Sequence, residues 1–340
     1  MLIIVVCVML SKAGVTERGA VFLGKQVACD AFDENHPIRV VTHAHSDHML
    51  GLRQSLMHCK SLVMTPATKD LIDVMMGPLF LMAGNVKTLN YDEPLSLEDD
   101  TLSLHFADHI LGAAQVLVQD ADGTRIIYTG DFRIRGTPTL ESDIMVIEAT
   151  YGSPSRVRNF NENVEDLFVS LIETGLKQGP VYVFGFHGKL QETMQILSDA
   201  HVNAPFVAPE KVFHVSKICE RHGMRLGRLS LSTGEEGKAI LDEGGPCVAF
   251  YHMGSMRRVG ENAFRVCVSG WNFTSACRQV GRKEFIVALS DHSDFNGLLQ
   301  YVAGSKPKLV VTDNFREGGA EILAREIQSR LGIQAVALPP

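Results

Sequence analysis

Four residues able to hold a metal fall within six positions of this sequence: His43, His45, Asp47 and His48. Neutral imidazole and carboxylate are good zinc ligands. Positions 43 and 45 are two apart, a spacing that suits an extended or tightly turned segment whose alternate side chains share a face. Asp47 and His48 come where the chain is expected to turn into a helix, because Met49, Leu50 and Leu52 follow. One such segment cannot complete two metal shells, so further ligands are expected from elsewhere. His109, in Ala107-Asp108-His109-Ile110-Leu111-Gly112, and Asp131, in Thr129-Gly130-Asp131, are the candidates. A carboxylate such as Asp131 can bridge two cations about 3.5–4 Å apart, an arrangement that activates a shared water and stabilises both oxygens of an in-line displacement at phosphorus. Asp30, in Cys29-Asp30-Ala31, is either a carboxylate that orients a histidine from behind or an ordinary turn residue.

These residues need elements to position them, and the chain supplies short apolar runs that end in polar residues. Ile38-Arg39-Val40-Val41 precedes Thr42-His43, Ile126-Ile127-Tyr128 precedes Thr129-Gly130-Asp131, and Ile144-Met145-Val146-Ile147 precedes Glu148. Ile286-Val287-Ala288-Leu289 precedes Ser290-Asp291-His292, and Leu309-Val310-Val311 precedes Thr312-Asp313. Such runs read as buried strands, and α/β folds place ligands at the carboxyl ends of their strands. Five separated segments are therefore expected to converge on one rim. Helices are expected around Val164–Ile172 and Leu190–Leu197, with a strand at Val181–Phe184 between them. Segments 20–29, 101–106 and 114–119 read as strands joined by Gly or Asp turns. The fold class is α/β, with β-rich stretches early.

A chain of 340 residues with 45% apolar and 21% charged residues can bury a large core in one or two domains. Its net charge of −7 argues against a protein that coats nucleic acid, but not against an enzyme with a local basic groove. The seven cysteines are scattered singly, as in a reduced, cytoplasmic protein. The apolar opening MLIIVVCVML is too short to span a bilayer and is expected to be a buried strand. Met75-Met76 and Leu79-Phe80-Leu81-Met82 are expected in the core.

Taken in order, His43, His45, Asp47, His48, His109 and Asp131 resemble the successive ligand motifs of the metallo-β-lactamase fold. Glu148-Ala149-Thr150-Tyr151-Gly152 resembles the acidic motif A of the β-CASP nucleases, which include ribonuclease J and the endonuclease of pre-mRNA 3′-end cleavage. Gly188-Lys189-Leu190-Gln191-Glu192 and the stretch Ala288–Phe295, with His292 as the motif B histidine, are similar to further segments of that family. The resemblance implies a layered αββα sandwich formed by residues 1–155 and 284–340. It implies an α/β cap at 156–283, with substrate in the cleft between them. It departs from the family after the last strand, where Thr312-Asp313-Asn314 stands in place of a motif C histidine.

The resemblance also implies roles. One zinc would sit on His43, His45 and His109 and a second on Asp47 and His48, bridged by Asp131. The missing histidine would leave the second site weak or suited to manganese. Asp47, Glu148 and His292 are the expected catalytic residues, with His292 protonating the leaving oxygen or steadying the phosphate and Glu148 orienting it. Lys189 and Ser290 are candidate substrate contacts, although a solvated surface serves Lys189 as well. The expected activity is a metal-dependent phosphodiesterase acting on single-stranded RNA or DNA, with no membrane partner. An RNA-processing exonuclease is the first reading. The alternatives are a DNA nuclease of the crosslink-repair type, a thioesterase or lactonase, and a non-catalytic nucleic-acid-binding subunit.

Overall fold

A computed structural model describes residues 7–77, 84–160 and 163–340. The chain divides into two compact units, one running to Val157 and resuming at His292–Pro340, the other Arg158–Asp291. Among the described residues, no helix is long and apolar enough to cross a membrane.

The first unit contains two sheets. One has six strands in the order Ala13–Val15, Val21–Leu23, Val27–Cys29, Ile38–Val40, Ser61–Met64 and Val86–Thr88. It is antiparallel up to Val27–Cys29 and parallel from there on. The other has seven, in the order Gln334–Leu338, Leu309–Asp313, Ile144–Ile147, Arg125–Tyr128, Ala114–Gln119, Asp100–Phe106 and Pro94–Leu97. One apolar core takes residues from both sheets: Val21, Leu23, Val40 and Val63 from the first, Leu102, Leu104, Val116, Tyr128, Val146 and Val311 from the second. In Asp100–Phe106 the core residues Leu102 and Leu104 alternate with Thr101, Ser103 and His105 on the other face, as a strand with one packed face requires. Ile144–Ile147 is buried at all four positions, so both of its faces are covered.

Helices flank the sheets. Leu52–His58 packs on Ser61–Met64, and Ala320–Leu331 packs on Leu309–Asp313 and Gln334–Leu338. In the latter helix Ala320, Leu323, Ala324 and Ile327 are buried, the i, i+3, i+4, i+7 stripe that turns one face inward. This is a mixed α/β, layered architecture. The second unit has its own seven-stranded sheet, ordered Leu229–Leu231, Phe206–Ala208, Val248–His252, Val181–Gly185, Phe264–Val268, Glu284–Val287 and Cys277–Gly281. Its helices are Val164–Leu176, Lys189–Asp199, Glu210–Arg221 and Glu235–Glu243.

Several expectations are corrected. Glu284–Val287 does not join the first unit: it pairs in parallel with Phe264–Val268, so the first unit resumes at His292 rather than at 284. Only four of the five strands expected on one rim therefore lie in the first unit. Residues 7–10 are helical, with Ser11 N–H bonded to the Cys7 carbonyl at 3.1 Å and Val8 exposed. A single turn lets only Met9 and Leu10 reach the core, so this part of the opening is not a strand, and residues 1–6 lie outside the described residues. Met76 is exposed at a helix end rather than packed inside, and the Leu79–Met82 expectation lies outside the described residues.

Candidate metal and acid–base site

The segment 42–48 leaves the strand Ile38–Val40 and is held by a buried carboxylate. Asp30 follows the neighbouring parallel strand Val27–Cys29 in a left-handed conformation, φ 63°. Its Oδ1 accepts the Thr42 N–H and its Oδ2 the Thr42 hydroxyl, each at 2.8 Å, and His48 Nδ1 stands 2.7 Å from Oδ2. Burial works against the Asp30 charge, but His48, Arg316 and Arg39 overcome it and hold the carboxyl below its usual range. Arg39, a charge inside an apolar run, is itself buried and donates to the carbonyls of His48 at 3.1 Å and Leu50 at 3.3 Å. Replacing Asp30 with alanine strands the Thr42 and His48 donors. The expected cost is about 3–5 kcal/mol of stability, as for breaking a buried pair, with metal affinity falling roughly 10–100-fold. Urea unfolding and zinc competition measure both.

His109 sits in the loop 107–113 between two antiparallel strands. Gly112 closes that loop at φ 80°, and its carbonyl accepts from the Thr65 and Thr68 hydroxyls at 2.8 and 2.9 Å. Thr65 also caps the helix Pro66–Met76, so the helix start anchors the His109 loop. A Cβ at Gly112 would lie 2.6 Å from the Thr68 nitrogen. Gly112→Ala is therefore expected to cost about 1–3 kcal/mol through left-handed strain alone and, by displacing His109, to weaken metal binding as well. A thermal melt beside a zinc titration checks this. Asp131 follows the strand Arg125–Tyr128 through Gly130, φ 56°, where a Cβ would crowd the Ala114 carbonyl at 3.0 Å. Arg133 ties the two ligand loops together, gripping both Asp108 oxygens at 2.7 and 3.1 Å.

These supports bring the six expected ligands to one place. His45 Nδ1 lies 3.1 Å from His43 Nε2 and 3.1 Å from His109 Nε2. Asp131 Oδ2 stands 3.6 Å from His43 Nε2, 3.7 Å from His109 Nε2 and 3.2 Å from His48 Nε2, while Asp47 Oδ2 is 3.4 Å from His48 Nε2. Ligands about 2.0–2.1 Å from a tetrahedral ion stand roughly 3.3 Å apart, so the spacing of His43, His45, His109 and Asp131 fits a divalent metal. Burial, then the neighbouring imidazoles, push His43 well below its usual value, which favours the neutral ligand form. His48 Nε2 is buried and makes no well-directed hydrogen bond among the described residues. Burial opposes a charge on His48, yet Asp131 and Asp30 outweigh it and hold the ring well above its usual value. The carboxylates thus draw positive charge to this point, whether as a proton or as a metal ion.

A second constellation adjoins the first. Glu148, buried at the end of Ile144–Ile147, accepts the Phe132 N–H through Oε1 at 2.9 Å. Its Oε2 lies 2.9 Å from His292 Nδ1. Ser293 holds His292 in place, since its N–H and hydroxyl both donate to the Phe132 carbonyl at 2.7 and 2.9 Å. The His292 and His109 rings are 4.8 Å apart.

Lys189 and Ser290 fall in the second unit. Lys189 is no solvated surface residue: it is buried, with its ammonium 3.1 Å from Glu192 and 3.3 Å from Asp291. Asp313 is buried and bound to Arg316. Sequence reasoning did not single out Thr42, Arg39, Arg133, Ser293 or Arg316 for the site. Only Arg39, charged within an apolar strand, carried a local signal.

The sequence matches no family model. An uncharacterized protein from Acidianus ambivalens is 38% identical over 138 residues, 40% of this chain and 99% of that protein. A probable DNA ligase from Opitutus terrae is 25% identical over 88% of this chain and 28% of its own length. A probable RNase MJ4 from Methanocaldococcus jannaschii is 27% identical over 58% of this chain and 54% of its own length. The chain thus spans about half or less of the two relatives whose names state an activity. A crystal structure of a protein of unknown function from Enterococcus faecalis superposes with a TM-score of 0.61 at 13% identity, covering 91% of this chain and 81% of that one, which speaks to the fold alone. In the order of its motifs along a layered α/β fold, the chain is similar to the β-CASP proteins of the metallo-β-lactamase family, and its relatives include proteins named as a probable RNase and as RNase J-like.

Proposed function

We propose that this chain is a metal-dependent phosphodiesterase that shortens RNA from an end, with zinc as its metal. The observation that carries this reading is the Glu148–His292 pair set against the His43/His45/His109/Asp131 cluster. Hydrolysis at phosphorus needs both a charged pole and a proton donor for the leaving oxygen. A zinc held by His43, His45, His109 and Asp131 would supply Lewis acidity toward phosphate and water. The chain's own residues do the rest. Glu148 fixes the His292 ring through Nδ1 and leaves Nε2 to pass a proton to the leaving oxygen. The Glu148 charge favours the imidazolium that this role requires. Asp30 and Arg39 keep the His43–His48 turn in one conformation.

RNA is favoured by the relative named as an RNase. A DNA substrate is the second reading, because 88% of this chain aligns with part of a probable DNA ligase. Incubation of zinc- or manganese-loaded protein with end-labelled single-stranded RNA, matched DNA and a thioester separates the readings. Stepwise shortening of RNA is expected. Shortening of DNA alone would replace RNA with DNA, and no cleavage of either nucleic acid under both metals would overturn the nuclease reading.

A further inference from the structure

The strand Leu309–Asp313 ends in a buried aspartate, and both of its oxygens are engaged. Asp313 Oδ1 accepts the Phe315 N–H at 3.0 Å, and Oδ2 accepts Arg316 Nη1 at 2.5 Å. The same guanidinium reaches across to the ligand turn, with Nη2 donating to the Asp47 carbonyl and to the Gly19 carbonyl, each at 3.3 Å. A permanent cation is thereby tied beside Asp47 and His48. Burial opposes its charge, but the carboxylates of Asp313, Asp30 and Asp131 outweigh this and keep it protonated.

Charge counting sharpens the point. Around His48 stand the buried carboxylates Asp30, Asp131 and Asp313, with Asp47 at the rim, and against them the buried guanidinium of Arg39 and the partly buried one of Arg316, while the neighbouring Glu148 is paired with His292. A metal on Asp131 withdraws the charge that holds a proton on His48, and with that ring neutral four negative charges against two positive leave two negative charges. One divalent ion balances them. A second would leave a buried excess of positive charge, which a low-dielectric site penalises heavily.

Resting on the metal site proposed above, we infer that Arg316 takes the electrostatic place of a second metal, so that each chain binds one divalent ion, at His43, His45, His109 and Asp131. Asp313 is then the anchor of Arg316 and not a ligand. His48, braced by Asp30, then positions Asp131, with Nε2 3.2 Å from its Oδ2.

Calorimetric titration of metal-stripped full chain with zinc, and separately with manganese, tests this, together with elemental analysis after gel filtration. Wild type is expected to take one equivalent of either ion, and Arg316→Ala to take a second. Two equivalents on wild type would overturn the inference and leave the metal site standing. No binding at all would overturn the metal site itself. One equivalent on both proteins would also overturn the inference, since Arg316 would then not be what excludes the second ion. The wild-type titration decides the number of ions even if Arg316→Ala fails to fold.

Discussion

His109→Ala is expected to strip the metal from the protein and abolish its hydrolytic activity. His43, His45 and Asp131 would remain, and two of these come from one short turn. His109 is the imidazole that closes the set from the opposite sheet, 3.1 Å from His45. A Lewis acid contributes several kcal/mol of charge stabilisation at a phosphoryl group. Its loss therefore slows hydrolysis by about 10³-fold or more. Elemental analysis of the purified variant should find the metal largely gone, while His105→Ala, at a histidine that pairs with Asp92 on another face, should retain it. Full metal content in His109→Ala would remove His109 from the ligand set.

The second large effect is expected at His292. With Nδ1 committed to Glu148, this ring has one nitrogen left for substrate, and its removal takes away a positioned acid. Rates should fall roughly 10²–10⁴-fold, with metal content and melting temperature near those of wild type. The separation of metal content from rate is the informative part. If His292→Ala lost its metal, the histidine would be a ligand, and the acid would have to be sought elsewhere. Glu148→Gln should follow in the same direction with a smaller loss, because the amide oxygen can still accept from Nδ1 while the charge that favours imidazolium is gone.

The two predictions differ in how far the sequence foreshadows them. His43, His45, Asp47 and His48 are legible because the ligands lie within one turn, and turn chemistry is local. The strands that carry Thr42, Asp131 and Glu148 are legible for the same reason, as β-branched runs stopped by polar residues. Asp30 stayed open between a turn residue and an orienting carboxylate. Nothing near it in sequence shows that Thr42 and His48 converge on its oxygens. Lys189 looked available for phosphate, and only the packing shows it buried between Glu192 and Asp291.

The boundary at 284 was misplaced because the apolar run there reads equally well as a strand of either unit. Which sheet a strand joins depends on the edge it can pair with, and Phe264–Val268 offered one. Arg316 is the clearest case. In sequence it is one more charged loop residue, a few positions after a missing histidine. In the fold it bridges Asp313 and the Asp47 carbonyl across 269 positions of chain.

By itself, then, the sequence determined the ligand types, the strands that end in them and the order of the motifs, because spacing and periodicity are properties of neighbouring residues. The tertiary structure alone decided which carboxylates are engaged, which cations stand beside the cluster and where the first unit resumes. Those depend on burial and on contacts between segments far apart in the chain, and a buried charge takes its meaning from the partners that surround it.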